Sequence, residues 1–218
     1  MPIRQKGRPG RTAGRGMTRI KLRGLSRPED IASANRVQPE FVGFVFVPGS
    51  KRYVSTRQAK RLKALLSPRI QAVGVFANAE PETVAGLLDC GVIDLAQLHG
   101  GESGDYIRRL RALTGKPIIQ AFRITSAQDV MRAETSIADH ILLDSGAGTG
   151  TAFDWALLRH IKRPYFLAGG LGPGKVERAV ELLHPYAVDV SSGIETEGVK
   201  DPSKMAAFVA AVRKEDKR

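Results

Sequence analysis

Short apolar, β-branched runs alternate along most of this chain with longer stretches whose apolar residues recur every third or fourth position. Compact runs of the first kind read as strands and stretches of the second as helices. Strands are predicted at 18–23, 41–46, 71–77, 94–98, 117–122, 140–144, 165–168 and 187–191. Helices are predicted at 28–35, 56–66, 82–88, 105–113, 127–134, 155–160, 174–183 and 202–213. Ser26 ahead of Arg27-Pro28, Ser55, and Asp201 ahead of Pro202 are the residue types that open helices. Strands that alternate with helices predict a parallel sheet, because the crossover between parallel strands needs a helix. Eight such units, spaced by roughly 25 residues, predict an α/β fold of one domain, a (β/α)8 TIM barrel over 18–218. A doubly wound open sheet would carry five or six strands and a Gly-rich first turn, which Arg23-Gly24-Leu25 does not supply.

In such a barrel the chemistry sits at the C-terminal ends of the strands. Strand one ends Lys21-Leu22-Arg23-Gly24, strand four Gln97-Leu98-His99-Gly100, strand six Leu143-Asp144-Ser145, and strand eight Asp189-Val190-Ser191. Side chains alternate along a strand, so Lys21 with Arg23, Gln97 with His99, and Asp189 with Ser191 are expected to point into the barrel mouth. The turns Gly169-Gly170-Leu171-Gly172 and Ser191-Ser192-Gly193 follow strands seven and eight, where glycine lets the backbone approach a phosphate. Asp144 is either a turn former or a general acid whose pKa the barrel wall raises. His99 is either a satisfied core histidine or a hydrogen-bond donor to substrate. Asp189, inside a strand, needs a partner such as Lys21 or a ligand hydroxyl. Arg52, in the loop after strand two, is either a solvated arginine or a ligand for a carboxylate.

Composition narrows the partners. The chain has 218 residues, 42% hydrophobic, and its apolar runs are far shorter than the roughly 18 residues of a membrane span. A lone cysteine, Cys90, rules out an internal disulfide framework and a Cys-based zinc site, and its place after Leu87-Leu88 predicts packing. The four histidines lack ligand spacing, so no metal is expected. The formal charge is +12, yet Arg4, Lys6, Arg8, Arg11 and Arg15 crowd a Gly-rich leader without an acid or an aromatic. Residues 1–17 are therefore expected to be a disordered leader, or an extension ahead of a true start at Met17, rather than a nucleic-acid-binding arm. No secretory signal is visible, which suggests a cytoplasmic protein with no membrane and no nucleic-acid partner.

From Ile20 to about Val212 the chain resembles the phosphoribosylanthranilate isomerases of tryptophan biosynthesis. The resemblance rests on Arg27-Pro28-Glu29-Asp30, Gly43-Phe44-Val45-Phe46, Gly49-Ser50-Lys51-Arg52-Tyr53, Gln97-Leu98-His99-Gly100 and Leu143-Asp144-Ser145. It continues through Gly148-Thr149-Gly150-Thr151, Phe153-Asp154-Trp155, Leu167-Ala168-Gly169-Gly170 and Val188-Asp189-Val190-Ser191-Ser192-Gly193-Ile194-Glu195. It implies an Amadori rearrangement of N-(5-phosphoribosyl)anthranilate to 1-(2-carboxyphenylamino)-1-deoxyribulose 5-phosphate, without cofactor or metal, by a monomer or homodimer. By the same resemblance Asp144 is the general acid, Arg52 grips the anthranilate carboxylate, and Asp189 holds sugar hydroxyls or the developing amine. His99 lines the pocket, and Gly170, Leu171, Ser192 and Gly193 receive the phosphate.

At one position the chain departs from the family. The family's base is the cysteine of a Lys-x-Cys-Gly segment, and Arg23 stands there. A guanidinium carries no acceptor lone pair, so Arg23 cannot take a proton. An isomerase with altered base chemistry, with Asp189 as a candidate base, and a catalytically degenerate sugar-phosphate binder with a regulatory role both fit the sequence. A related isomerisation in histidine biosynthesis would call for paired aspartates on strands one and five, where Arg23 and Gln120 are expected to stand.

Overall fold

The computed structural model describes residues 17–146 and 155–216. The leader expected at 1–17 lies outside it except for Met17, as do the resembling segments at 148–151 and 153–154. Eight parallel strands close into a barrel in sequence order. They are β1 (Arg19–Arg23), β2 (Phe41–Val45), β3 (Gln71–Phe76), β4 (Leu95–Leu98), β5 (Ile118–Arg123), β6 (His140–Asp144), β7 (Tyr165–Ala168) and β8 (Ala187–Val190). The ring closes where β1 pairs with β8, Lys21 lying beside Asp189.

Among the described residues seven α-helices surround the ring: α1 (Pro28–Val37), α2 (Thr56–Leu65), α3 (Pro81–Asp89), α4 (Gly104–Leu113), α5 (Ala127–Glu134), α6 (Pro173–Leu183) and α7 (Pro202–Glu215). The segment Trp155–His160, expected as a helix, is a 3-10 helix rather than an α-helix. The Ser55 and Asp201 side chains cap α2 and α7 as expected. Ser26 does not cap α1. The carboxylate of Asp30, in the helix's first turn, accepts from the backbone N–H groups of Ser26 and Arg27, both at 3.0 Å. A carboxylate does this better than a hydroxyl, because it also meets the positive end of the helix. Cys90 is exposed at the end of α3 rather than packed.

Two apolar cores result. The larger lies between the strands and the helix ring and includes Ile20, Leu22, Phe44, Leu98, Leu143 and Phe208. The smaller fills the barrel itself with Phe41, Val73, Leu95, Ile119, Leu142, Phe166 and Ala187. It plugs the lower half of the interior, so the upper half is a floored cup rather than a pore. Among the described residues no helix is long and apolar enough to cross a membrane.

Candidate active site

The cup opens at the C-terminal ends of the strands into a cavity of about 480 Å³. Arg23, His99, Asp144 and Asp189 line it together with Gly170, Leu171 and Ser192. Five different strands and their following turns thus bring together seven of the nine residues expected at the site. Gly193 is not in the wall, but it supports the wall: a Cβ there would lie 1.9 Å from the carbonyl oxygen of Leu171. Glycine is what lets the turns after β7 and β8 touch. Gly169, at φ +99°, plays the same part for the acid, since a Cβ would fall 2.1 Å from Ser145 Oγ and 2.8 Å from Asp144 Oδ1.

A larger hollow of about 1090 Å³ opens at the opposite end of the barrel, around Arg19, Tyr165 and Tyr186. It lies at the N-terminal ends of the strands, where Arg19 sits 4.3 Å over the Tyr186 ring, and it holds none of the expected site residues. Size alone does not locate the chemistry.

Asp189 anchors the floor of the cup. It is fully buried, with Lys21 Nζ 3.1 Å from Oδ1 and Arg23 Nε 3.2 Å from Oδ2. Lys21 is aligned for a hydrogen bond and Arg23 is not, so Arg23 Nε and Asp189 Oδ2 are paired by charge without a hydrogen bond. Burial pushes the Asp189 carboxyl up, but the charges of Lys21 and Arg23 and the bond from Lys21 outweigh it and hold it below its ordinary value. Burial pulls Lys21 down to about 8 against the pull of Asp189. Gly43 makes room for Arg23 on the neighbouring strand, where a Cβ would sit 3.1 Å from the arginine's Cα and Cγ.

His99 and Asp144 face each other across the cup, Nε2 to Oδ2 at 3.8 Å. Burial, with the charge of Arg23, pushes the imidazole below its ordinary value. Asp144 Oδ1 accepts from the Gly146 backbone at 2.8 Å, so the residue shapes the turn and still offers its second oxygen to the cavity. The turn-forming expectation for Asp144 is met by that contact.

Arg52 stands apart. Its fork is filled by Glu195, with Nε to Oε1 and Nη2 to Oε2 both at 2.6 Å, and Lys200 Nζ adds a contact of 2.6 Å to the same carboxylate. It reaches the mouth's edge through Gly24, where a Cβ would meet Arg52 Cδ at 2.5 Å. On β5 the expected placement needs correcting. Gln120 turns away from the cup, bonding the Glu102 carbonyl at 2.9 Å and the Ser136 hydroxyl at 2.6 Å. Ala121 and Arg123 line the cavity instead. Strand five was expected to end at Phe122, so Arg123 was missed; period-two alternation from Ile119 would have found it. With Arg23 on β1 and Ala121 on β5, the paired aspartates of the histidine-pathway chemistry are absent from these two strands. Among the described residues no cluster of histidine, cysteine and acids could hold a metal ion.

Comparison with known proteins points to a single family. The family model described as N-(5'phosphoribosyl)anthranilate (PRA) isomerase matches residues 20–211. The chain is 42% identical over 202 residues to an N-(5'-phosphoribosyl)anthranilate isomerase of Endomicrobium trichonymphae, covering 90% of this chain and 99% of that one. Its fold matches a crystal structure of phosphoribosyl anthranilate isomerase from Thermotoga maritima with a TM-score of 0.84 at 35% identity, over 91% of this chain and 100% of the other. A phosphoribosyl anthranilate isomerase crystallised with reduced 1-(o-carboxyphenylamino)-1-deoxyribulose 5-phosphate matches with a TM-score of 0.82, also at 35% identity, over 91% and 100%.

Proposed function

Because this chain belongs to the N-(5'-phosphoribosyl)anthranilate isomerase family and shares its isomerase activity, we propose that the cup described above carries out the Amadori rearrangement through Asp144 and Asp189. The convergence of Asp144, His99 and the Asp189–Arg23 pair with two glycine turns in one cavity carries this reading. The phosphate rests on the turns at Gly170, Leu171, Ser192 and Gly193, near the start of α6, where backbone N–H groups favour an anion. A similar barrel binds the reduced 5-phosphate named above, which is the reduced form of this reaction's product.

Asp144 gives its proton to the ribose ring oxygen. The C1–O bond breaks, and the anthranilate nitrogen donates its lone pair to form the C1=N Schiff base. A base then removes the C2 proton, and the electron pair moves to the nitrogen to give an enolamine, which tautomerises to the ketone. The substrate nitrogen is the electron sink, so the reaction needs no cofactor and no metal. Arg23 is a cation and cannot act as the base. The carboxylate oxygen Asp189 Oδ2, without a hydrogen-bond donor and next to Arg23, supplies the lone pair, reached as the Arg23 side chain yields. Two neighbouring cations weaken it as a base, so proton abstraction is slower than with a thiolate. Arg52 binds the anthranilate carboxylate by exchanging it for Glu195, a trade of one bidentate partner for another. The enzyme works in the cytoplasm as a monomer or homodimer, with 18–218 as the barrel domain and 1–17 as its leader.

The test is turnover of freshly generated substrate, followed by the change in anthranilate fluorescence. Asp144→Asn should lower kcat by about 10²–10⁴-fold, the usual contribution of a positioned acid. Arg23→Cys should raise it by at least ~10-fold, since it adds a thiolate-capable base and lifts a cation from Asp189. An active Asp144→Asn enzyme, or a slower Arg23→Cys one, overturns the assignment.

A further inference from the structure

Three polar side chains on β1 and β4 are joined end to end below the acid. Lys21 Nζ donates to Gln97 Oε1 at 2.8 Å, and Gln97 Nε2 lies 2.8 Å from His99 Nδ1. An ammonium has donors and no lone pair, so it can meet only the oxygen of the amide. The amide nitrogen is thereby turned to His99, and an amide nitrogen can only donate. Nδ1 must accept, and a neutral ring that accepts at Nδ1 carries its proton at Nε2, which faces Asp144 Oδ2 at 3.8 Å.

From this geometry we propose that Lys21 and Gln97 are positioning residues that lock His99 in one tautomer, a neutral Nε2–H donor aimed at Asp144. The tautomer follows from the hydrogen bonds alone; its catalytic consequence rests on the reading of Asp144 as the acid.

The lock has two effects. A ring with its lone pair at Nε2 could act as an acceptor for a proton of Asp144, because imidazole is ordinarily a stronger base than a carboxylate. With Nε2 already protonated, the ring cannot take a proton from Asp144 in competition with the substrate. When Asp144 has given up a proton, its carboxylate faces an N–H already aimed at it from 3.8 Å, which needs a short approach and no reorientation. Protonating His99 instead would set Nδ1–H against the amide NH2, two donors face to face. The charges around the ring act in both directions: Arg23 and Lys21 from β1 oppose a proton, and Asp144 from β6 and Asp189 from β8 favour one. Burial adds to the opposition, and the ring is held neutral.

Histidine labelled with 15N reports this directly. His99, assigned by the loss of its signals in His99→Asn, should show a lone-pair Nδ1 and a protonated Nε2 at about pH 8 and should titrate only below the ordinary imidazole value. Gln97→Glu offers Nδ1 an acceptor, so it should move the proton to Nδ1 or make the ring an imidazolium. It should also lower kcat by about 10–100-fold with KM within about twofold, less than loss of the acid itself. Gln97→Met, which cannot hold either tautomer, should show a mixture and keeps the test open if the acidic variant fails to fold. A wild-type ring protonated at Nδ1, or a Gln97→Glu enzyme with unchanged His99 signals, overturns the proposal. The spectrum needs no turnover. The expected tautomer in an enzyme indifferent to Asp144→Asn supports the lock and removes the reading of the acid.

Discussion

Along β4, Leu95 packs into the plug of the barrel, Gln97 two residues on is fully buried in the polar floor, and His99 two further on faces the cavity. The same three storeys recur at β8 as Ala187, Asp189 and Ser191, whereas β5 keeps Ile119 below and Arg123 above with the apolar Ala121 between them. The lower storey is apolar and tolerant: Phe41, Phe166 and Tyr186 meet as tilted rings at 5.4–5.5 Å, and several apolar shapes could fill the space. The storey above it is polar and intolerant. Lys21, Gln97 and Asp189 are buried with their partners fixed one by one, and removing any of them strands another. Stability is drawn from the plug and its outer counterpart, while the floor gathers charges beneath the cavity. One pleat of strand separates the two tasks.

Variants that strike one storey and spare the other would break or sharpen that contrast. The largest effect should come from Phe166→Ala in the plug, which opens a cavity and costs about 3–5 kcal/mol of stability. Chemical denaturation would show the loss, and kcat per folded molecule should hold within about twofold, less than the tenfold that 1.4 kcal/mol of barrier would bring. A large fall in kcat would mean that the storeys are mechanically coupled. Gly193→Ala is next. Its methyl would press on the Leu171 carbonyl, an overpacking worth about 1–3 kcal/mol, and it should raise KM if the two turns it spreads hold the phosphate as proposed. An unchanged KM would remove Gly193 from the phosphate site.

The mildest effect is a pH dependence. The Asp189 carboxyl is held below its ordinary value in the fold, so its ion pairs stabilise fully above the unfolded value of about 3.9. That contribution is lost as pH falls from there through the folded value. Thermal midpoints should stay level from neutral pH down to about 4 and then fall more steeply for the wild type than for Asp189→Asn. Parallel curves would show that the floor's charges do not contribute to stability.

Much of this architecture was legible in the sequence because strands of a buried parallel sheet are short, apolar and bounded by turn residues. The runs at 140–144 and 165–168 match β6 and β7 to the residue. The convergence at the mouth followed from side-chain alternation, which put Lys21 with Arg23 and Gln97 with His99. Misreadings arose where one residue decides a face. Gln120 was expected in the mouth and points out, since a shift of one position exchanges the two sides of a strand. The Arg52–Glu195 fork joins residues 143 apart, and no local pattern announces such a pair. Cys90 was expected to pack because apolar residues precede it, but it falls at the exposed end of α3, where the helix's buried face has run out.

The floor also has a place in the order of folding. Lys21 and Gln97 are 76 residues apart and Lys21 and Asp189 are 168 apart, so the second contact waits for the two ends of the chain to meet. At the same seam Arg213 of α7 reaches the Thr18 carbonyl at 3.0 Å and Glu40 at 2.6 Å. Closing so long a loop is entropically late, and contacts of this separation form slowly. A nascent chain that has not yet supplied β8 lacks Asp189, and its Lys21 and Arg23 have no counter-charge at the floor. On the proposed role of Asp189, catalysis begins only with ring closure, so the first turnover would time the meeting of the chain's two ends.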